Sequence, residues 1–184
     1  MTRLFEKYQT EVVPKLQSDF KHKNRMAVAR LVKVVVSVGL GKINKDEKAV
    51  EEILTTLGVI TGQKPVTRRA RKSIANFNLR ENDLVGAFVT MRGKKMYEFF
   101  DRLVTFALPR VRDFRGLSPS GFDRSGNYNF GLTEQTVFPE VDYNKIEKVF
   151  GMNINLVCSA RSKEEAKALL VALGLPLEAV QQKG

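Results

Sequence analysis

The chain has 184 residues, of which 43% are hydrophobic and 28% are charged. This length and composition are typical of a folded globular protein and exclude a disordered chain. Lysine and arginine number 31 against 20 acidic residues, and the resulting net charge of +11 favours polyanionic partners, nucleic acid first and an anionic membrane second.

The charge is uneven along the chain. Residues 1–92 hold 18 basic and 9 acidic side chains, whereas residues 93–184 hold 13 and 11. A surplus concentrated in one half indicates a binding surface. The single cysteine, Cys158, cannot form an internal disulfide, and no uncharged stretch, residues 53–63 included, is as long as a membrane span. The N-terminus has no signal-peptide core, so we expect a cytoplasmic protein.

The first third of the chain predicts a helix, a strand and a second helix. Apolar residues recur at helical spacing from Leu4 to Leu16, although Pro14 is expected to kink or end that helix. Residues 31–41, LVKVVVSVGLG, alternate as a strand, with one buried phase at Val32, Val34, Val36 and Val38. Asp46 is expected to cap the second helix and Gly62 to end it.

The remaining elements follow in the same way. Residues 64–72 and GAFVTMRG (86–93) predict strands, and KKMYEFFDRLVTFAL (94–108) predicts a helix stopped by Pro109. A long loop is expected at about 109–131. NYNFGL (127–132) and MNINLVCSA (152–160) predict the last strands, and a capping box of Ser162 and Glu165 begins the last helix.

This order predicts one α+β domain over residues 1–184. We expect a largely antiparallel sheet of about five strands, with helices packed on one face and the other face open. The strand phases put polar and basic side chains on the open face: Lys33, Ser37, Thr90, Arg92, Asn153 and Asn155. A face of this kind is one known platform for RNA.

The residues offer little for catalysis. His22 is the only histidine, so it has no partner for a triad or a metal site, and we expect it to be solvated. Cys158 is expected to be a packed thiol, and helix acids such as Glu51, Glu52, Glu164 and Glu165 are expected to be solvated. We therefore expect no cofactor, no metal and no enzymatic activity. An enzyme acting on an acidic or nucleotide substrate and a membrane-surface protein remain the alternatives.

The stretch KPVTRRARKSIANF, residues 64–77, is the densest basic segment, with five cations and no acid. Strand alternation places Lys64, Arg68 and Lys72 opposite Arg69 and Arg71, so the strand should lie at an edge or be heavily twisted. Edge cations can simply block unwanted strand pairing. We favour phosphate contact, made by Arg68, Arg69, Arg71 and Lys72, because guanidinium groups meet phosphate oxygens two at a time.

A second basic segment, residues 110–131, interleaves arginines with aromatic residues. Bases can stack on such rings and on guanidinium planes. Alternatively, the rings fold back onto the core and Asp113 pairs a neighbouring arginine. The sequence leaves both interpretations open for its four aromatic residues, Phe114, Phe122, Tyr128 and Phe130.

Seven motifs in register carry a resemblance to a known family: KPVTRRARKSIANF, GAFVTMRG, MYEFFDRL, LPRVRDFRG, GNYNFG, FPEVDY and GMNIN. The chain resembles, from LFEKY to LLVALGLP, the bacterial form of large-subunit ribosomal protein number five, which binds 5S rRNA. The resemblance implies an α+β protein of the central protuberance that helps attach 5S rRNA to the large subunit. It also implies contacts with 23S rRNA, P-site tRNA, a small-subunit head protein and neighbouring large-subunit proteins, made by a monomer within the cytoplasmic ribosome.

Matching positions imply which residues serve each partner. The 5S contacts would fall on Ser37, Gln63, Thr90 and Arg92, and we add Lys33 and the cations of residues 68–72 as rRNA contacts. The tRNA loop would run from Ser73 to Asp83, with Ser73, Asn76, Phe77, Asn78 and Arg80 as its candidates. The bridge to the small-subunit head would use Arg112, Asp113, Arg115, Asp142 and Tyr143.

The sequence departs from the family pattern at three places. Ser37 stands where asparagine is usual, which replaces an amide contact to RNA by a hydroxyl. DRSGNY stands where D-G-R-G-N-Y is usual, which moves the arginine to Arg124 and removes a glycine. Asn78 and Asn82 stand where a cation and a glycine are common, so we expect a less basic and less flexible tRNA loop.

Overall fold

The structure, a computed structural model, describes residues 2–41, 43, 46–142 and 148–178. The chain divides into two compact units. Unit 1 comprises Met1–Val34, Arg92–Phe130 and Asn155–Gly184, and unit 2 comprises Val35–Met91 and Gly131–Ile154. The single-domain boundary expected from the sequence stays a prediction.

Five strands form one open antiparallel sheet, which confirms the α+β class. They are β1 (Leu31–Gly39), β2 (Val66–Arg69), β3 (Leu84–Met91), β4 (Tyr128–Leu132) and β5 (Met152–Cys158). The order across the sheet is β2-β3-β1-β5-β4, so β2 and β4 lie at its two edges. The predicted strands are therefore all present, although β2 is shorter than residues 64–72.

The strands bury one alternating phase, as predicted. Val34, Val36 and Val38 are buried on β1, and the residues between them are only half-buried. The same alternation buries Ala87, Val89 and Met91 on β3, and Met152, Ile154, Leu156 and Cys158 on β5. Only the start of β1 departs, because Leu31 is buried and Val32 is half-buried.

In unit 2, α3 (Glu47–Thr61) contacts β3 with its apolar stripe. The helix begins where the Asp46 carboxylate accepts a hydrogen bond from the Ala49 amide at 3.2 Å. Its other carboxylate oxygen lies 2.6 Å from the Lys148 ammonium. The helix ends at Gly62, whose φ of +65° is the left-handed conformation that glycine adopts readily. Both predicted ends of this helix are confirmed.

In unit 1, the first helix continues past Pro14. It consists of α1 (Arg3–Lys7), a π-helical segment (Tyr8–Val12) and α2 (Val13–Asp19). A proline inside a helix removes one N–H donor and its ring clashes with the carbonyl four residues earlier. The wider π turn before Pro14 accommodates that loss, so the helix ends at Asp19 instead of at the proline.

The apolar helix α4 (Gly93–Arg102) buries Met96, Tyr97, Phe99 and Phe100. Its helical course then continues to the predicted stop at Pro109. A π-helical segment (Leu103–Ala107) and a 3-10 turn (Leu108–Arg110) follow, so Pro109 lies in the final turn. Proline fits the start of a short turn because the missing N–H is unused there.

The expectations that His22 and Glu165 are solvated are both wrong. Glu165, at the start of α5 (Lys163–Ala172), is 2% exposed, and its carboxylate lies 2.8 Å from Nε2 of His22. The carboxylate also accepts hydrogen bonds from the amides of Arg161 at 2.9 Å and Ala29 at 3.3 Å. The sequence pattern gives no sign of this contact because His22 and Glu165 are far apart along the chain. The Ser162 hydroxyl does cap the Glu165 amide, as predicted.

The segment at 109–131 resolves the choice left open for two of its aromatic residues. Phe122 and Tyr128 are buried with ring centroids 4.4 Å apart, and the Tyr128 hydroxyl donates to the Ser118 carbonyl at 2.8 Å. They are core residues. Phe114 and Phe130 are half-buried, and Asp113 pairs with Arg112 at 3.9 Å on the surface.

Within the described parts of the chain, no helix is both long enough and apolar enough to cross a membrane.

Replacing Glu165 by Gln should lower the free energy of unfolding by about 1–3 kcal/mol. The amide keeps the size of the side chain but has only one acceptor oxygen for the amides of Arg161 and Ala29. Urea unfolding followed by circular dichroism measures the change. Glu11→Gln, on an exposed side chain of the same unit, is the control and should unfold like the unsubstituted chain. Equal unfolding of the two variants would show that the buried carboxylate does not stabilise unit 1.

Candidate RNA-binding surface

Strand β2 lies at the edge of the sheet and, among the described strands, pairs only with β3. All four of its residues are exposed, as are Arg71 and Lys72 beyond its end. The edge position confirms the prediction drawn from the alternation of the cations. An edge strand contributes side chains to the surface on both faces, so cations are tolerated here that a central strand could not hold.

The pairing of β2 with β3 contains an irregularity within the basic stretch. Arg68 pairs with Gly86, whereas Arg69 pairs with Leu84, so Val85 has no partner on β2. Such a bulge bends its own strand, here β3, and increases the local twist of the pair. β2 itself ends at Arg69, so the predicted division of all five cations between two faces does not extend along residues 64–72.

Arg68 lies on the open phase of the sheet beside an aromatic ring. Its guanidinium carbon is 4.9 Å from the centroid of the Phe88 ring. Phe88 is half-buried and shares its phase with Thr90. A guanidinium over a ring is held flat by cation–π attraction, which orients its N–H groups in one plane. Phe88 is not among the site residues predicted from the sequence. Its place on the same strand phase as Thr90 could have indicated it.

Gln63 and Thr90 meet in the structure although they are far apart in sequence. The Gln63 amide donates to the Thr90 carbonyl at 3.3 Å. Gln63 is positioned by the end of α3, where the Thr61 hydroxyl donates to the Gln63 carbonyl at 3.1 Å. The bond to Thr90 holds the exposed Gln63 side chain against the backbone of half-buried Thr90 in unit 2.

The other predicted rRNA residues divide between the two units. Ser37 is half-buried on the open phase of β1 in unit 2. Lys33, half-buried on β1, and Arg92, exposed before α4, belong to unit 1. We use the name sheet-face cluster for the unit 2 residues alone: Ser37, Gln63, Arg68, Phe88 and Thr90.

The loop after β2 is held by its own hydrogen bonds. Arg69 Nη1 donates to the Asn82 carbonyl at 3.0 Å. At the base of the loop, the Ala70 amide donates to the Asp83 carbonyl and the Asn82 amide donates to the Ala70 carbonyl. Ser73 Oγ accepts from the Glu81 amide at 2.9 Å. The loop therefore has a defined shape. It encloses a concavity of about 810 Å³ lined by the following residues: Ser73, Ala75, Asn78, Leu79, Arg80, Asp83 and Leu84.

At the tip of this loop, a 3-10 turn (Ala75–Phe77) presents an aromatic ring to solvent. The Phe77 side chain is 78% exposed, and Asn76 beside it is exposed as well. The Phe77 ring is therefore accessible to another molecule. Asn78 and Asn82 have φ angles of +49° and +70°. Asparagine tolerates this left-handed region, which explains how Asn82 stands where glycine is common in the family.

The predicted bridge residues that the structure describes do not form one cluster within either unit. Arg112, Asp113 and Arg115 are exposed in unit 1, and Asp113 has a φ of +53°. Asp142 is exposed in unit 2. Tyr143 lies outside the described residues.

The departure at Arg124 leaves the local turn intact. The Asp123 carboxylate accepts from the amides of Ser125 at 2.9 Å and Asn127 at 2.7 Å, and from the Asn127 side chain at 2.8 Å. The Asn127 side-chain bond is the main reason that the pKa of Asp123 is lowered. Gly126 has a φ of +79°, and a Cβ added at this position would lie 3.0 Å from the Cβ of Ala166, so the turn favours glycine here. Arg124 itself is exposed and free of that constraint.

Cys158 is the packed thiol that the sequence predicts. It is buried at the end of β5, and burial raises its pKa to about 12, with the Asp123 charge as a smaller cause. A thiol kept protonated in this way is a poor nucleophile.

Comparison with known proteins decides the family. A family model described as "Ribosomal protein L5" matches residues 24–80, and a second model, which describes the C-terminus of the same ribosomal protein family, matches residues 84–177. A "Large ribosomal subunit protein uL5" of Chloroflexus aurantiacus is 55% identical over 174 residues, covering 95% of this chain and 97% of that protein. The chain belongs to the ribosomal protein uL5 family. A uL5 of Kocuria rhizophila is 56% identical, covering 96% of this chain and 93% of that protein, and one of Synechocystis is 52% identical, covering 95% of this chain and 97% of that protein.

As a uL5 family member, the chain is an rRNA-binding structural constituent of the large ribosomal subunit and takes part in translation. Its partners are rRNA and ribosomal proteins, and in bacteria the ribosome is cytoplasmic. The resemblance drawn from the seven motifs is thereby confirmed. The role is structural rather than catalytic.

Substituting Asn82 tests the loop conformation of this uL5 family member. Asn82→Ala should lower the free energy of unfolding by about 1 kcal/mol, because alanine is strained at positive φ and asparagine less so. Asn82→Gly should unfold at the same or slightly higher urea concentration. Exposed Asn76→Ala, at ordinary φ, is the matched control. A loss of stability in Asn82→Gly equal to that in Asn82→Ala would rule out the backbone explanation.

Proposed function

We propose that the chain binds 5S rRNA and helps attach it to the large subunit in the central protuberance. The proposal rests on the arrangement of side chains in unit 2. The Arg68 guanidinium lies over the Phe88 ring, and Phe88 shares its phase of β3 with Thr90. The Gln63 side chain donates to the Thr90 carbonyl. Cations, an aromatic ring and neutral hydrogen-bonding groups share one face. This combination suits a folded RNA better than a small substrate or a lipid surface.

The cations and the neutral groups would have different tasks. Arg68, Arg69, Arg71 and Lys72, on the exposed edge, would contact phosphates and supply affinity that falls with salt. Ser37, Gln63 and Thr90 would contact base edges and 2′-hydroxyl groups, which distinguish one RNA from another. Lys33 and Arg92 would add phosphate contacts from unit 1.

The finer partners follow from the family resemblance. The loop of residues 73–83, with Phe77 at its tip, would approach P-site tRNA, and Asn76, Asn78 and Arg80 would lie beside it. The surface residues Arg112, Asp113, Arg115, Asp142 and Tyr143 would bridge to a protein of the small-subunit head. Contacts with 23S rRNA and neighbouring large-subunit proteins would hold the chain as a monomer in the ribosome, without catalysis, cofactor or metal.

Removing three edge cations should weaken 5S rRNA binding without unfolding the protein. In a titration of the full chain with 5S rRNA at several salt concentrations, log affinity should fall with log salt. The triple variant, with Arg68, Arg69 and Arg71 changed to Gln, should reduce that slope by about one per lost phosphate contact. These side chains are exposed, and the bond from Arg69 to the Asn82 carbonyl and the contact of Arg68 with Phe88 are both at the surface, so thermal unfolding should change little.

The control removes the same charge from exposed residues elsewhere, with Lys15, Lys163 and Lys167 changed to Gln. That variant should retain most of the salt slope. Equal affinity of the unsubstituted chain for an unrelated RNA of the same length would contradict the 5S assignment. Unfolding of the arginine variant would instead favour the interpretation in which edge cations serve the sheet.

Phe77→Ala should release P-site tRNA several-fold faster from assembled ribosomes, because an aromatic stacking contact contributes about 1–3 kcal/mol. Dissociation of fluorescent tRNA from ribosomes reconstituted with the variant measures the effect. Affinity of the free variant for 5S rRNA should be unchanged, because Phe77 lies outside the sheet-face cluster. Unchanged tRNA release from ribosomes that contain the variant would remove the loop from the tRNA contact.

A further inference from the structure

A concavity of about 400 Å³ lies in unit 1. Its lining contains none of the residues proposed to contact 5S rRNA, tRNA or the small-subunit head. Its lining includes three aromatic residues, Phe5, Tyr8 and Tyr97. Arg25, Met26 and Arg30 line it as well. Among the described residues that line it, none is acidic. The volume is within the range of small-ligand sites, which is about 300–1,000 Å³.

The aromatic residues form a packed group. The rings of Phe5 and Tyr97 meet edge to face with centroids 5.2 Å apart, and the Phe5 and Tyr8 rings stack at 6.4 Å. The Tyr8 hydroxyl donates to the Ala29 carbonyl at 3.0 Å, which fixes that ring. Tyr8 and Tyr97 are buried, whereas Phe5 is half-buried and keeps part of its surface accessible. The group therefore offers a preformed apolar wall.

The remaining wall is basic and exposed. Arg25 and Arg30 are exposed, and Arg25 Nη2 donates to the Gln9 carbonyl at 3.4 Å, which joins its guanidinium to the first helix, where Gln9 also lines the concavity. Burial raises the pKa of Tyr8, and the positive charges of Arg30 and Arg25 oppose that rise, so both charges act on the aromatic group. Met26, 80% exposed, adds a flexible apolar surface between them.

The charge of this region selects among possible occupants. The sequence has no acid between Asp19 and Asp46, so the arginines of the concavity lie in a wholly basic segment. An occupant must therefore combine a flat or apolar part with negative charge. An unpaired nucleotide has both, because its base stacks on aromatic and methionine surfaces and its phosphate accepts from guanidinium groups.

We propose that this concavity binds one unpaired nucleotide of ribosomal RNA. The base lies against Phe5 and Met26, and the adjoining phosphate contacts Arg25 and Arg30. The site is separate from the sheet-face cluster and from the loop of residues 73–83, since both of those belong to unit 2. It therefore goes beyond the proposed 5S and tRNA contacts.

A short single-stranded RNA tests the proposal directly. The probe is an eight-nucleotide oligouridine with one central 2-aminopurine, whose fluorescence is quenched when it stacks. The full chain should quench it. Met26→Glu, which introduces a repelling charge at an exposed position, and the double variant Arg25→Gln with Arg30→Gln should each bind about 5- to 100-fold more weakly and lose the quenching.

One control variant makes the result specific. Lys163→Gln with Lys167→Gln removes the same charge from exposed residues of α5, so this variant should still quench the probe. Circular dichroism of each variant verifies folding, and Met26→Glu serves if the double arginine variant fails to fold. Quenching that persists in Met26→Glu, or that is lost equally in the α5 variant, would overturn the proposal. Loss of binding to anionic phosphatidylglycerol vesicles with unchanged RNA binding would assign the concavity to a lipid surface instead.

Discussion

The two-residue period of the strands is the constraint on which the rest of the structure depends. Because β1, β3 and β5 each place their apolar residues in one phase, the sheet can bury only one face completely. The other phase must carry side chains that tolerate water, and in unit 2 it carries Ser37, Phe88 and Thr90. The polar surface is thus a consequence of how the core is built.

The edge strand adds charge to that surface by a second constraint. A strand with one neighbour leaves half of its backbone groups unpaired, and cations together with a bulge protect such an edge from pairing with other chains. The exposed cations of β2 therefore protect the edge and also supply charge to the surface. Edge protection alone does not explain why the Arg68 guanidinium lies over Phe88, on the same face as the hydrogen-bonding groups.

Much of the fold could be predicted because it depends on local patterns. The strand phases, the Asp46 cap and the Gly62 end follow from residues within one element. The contact between His22 and Glu165 joins two ends of the chain, and nothing near either residue indicates it. The continuation of the first helix to Asp19 was not predicted, since Pro14 marks a lost hydrogen bond but not the π turn that precedes it. Phe88 and the bulge at Val85 depend on register, which one strand does not reveal.

The distribution of charge is better explained by binding than by folding. The first 92 residues hold 18 basic and 9 acidic side chains, and both β2 and the segment around Arg25 lie within them. Exposed cations on an edge strand bury little apolar area, so they contribute little to the core while they repel one another. Their repulsion is relieved when phosphate approaches and counterions are released. A surface that is mildly unfavourable alone and favourable with RNA is what a structural rRNA-binding protein requires, because its stable state is the assembled particle.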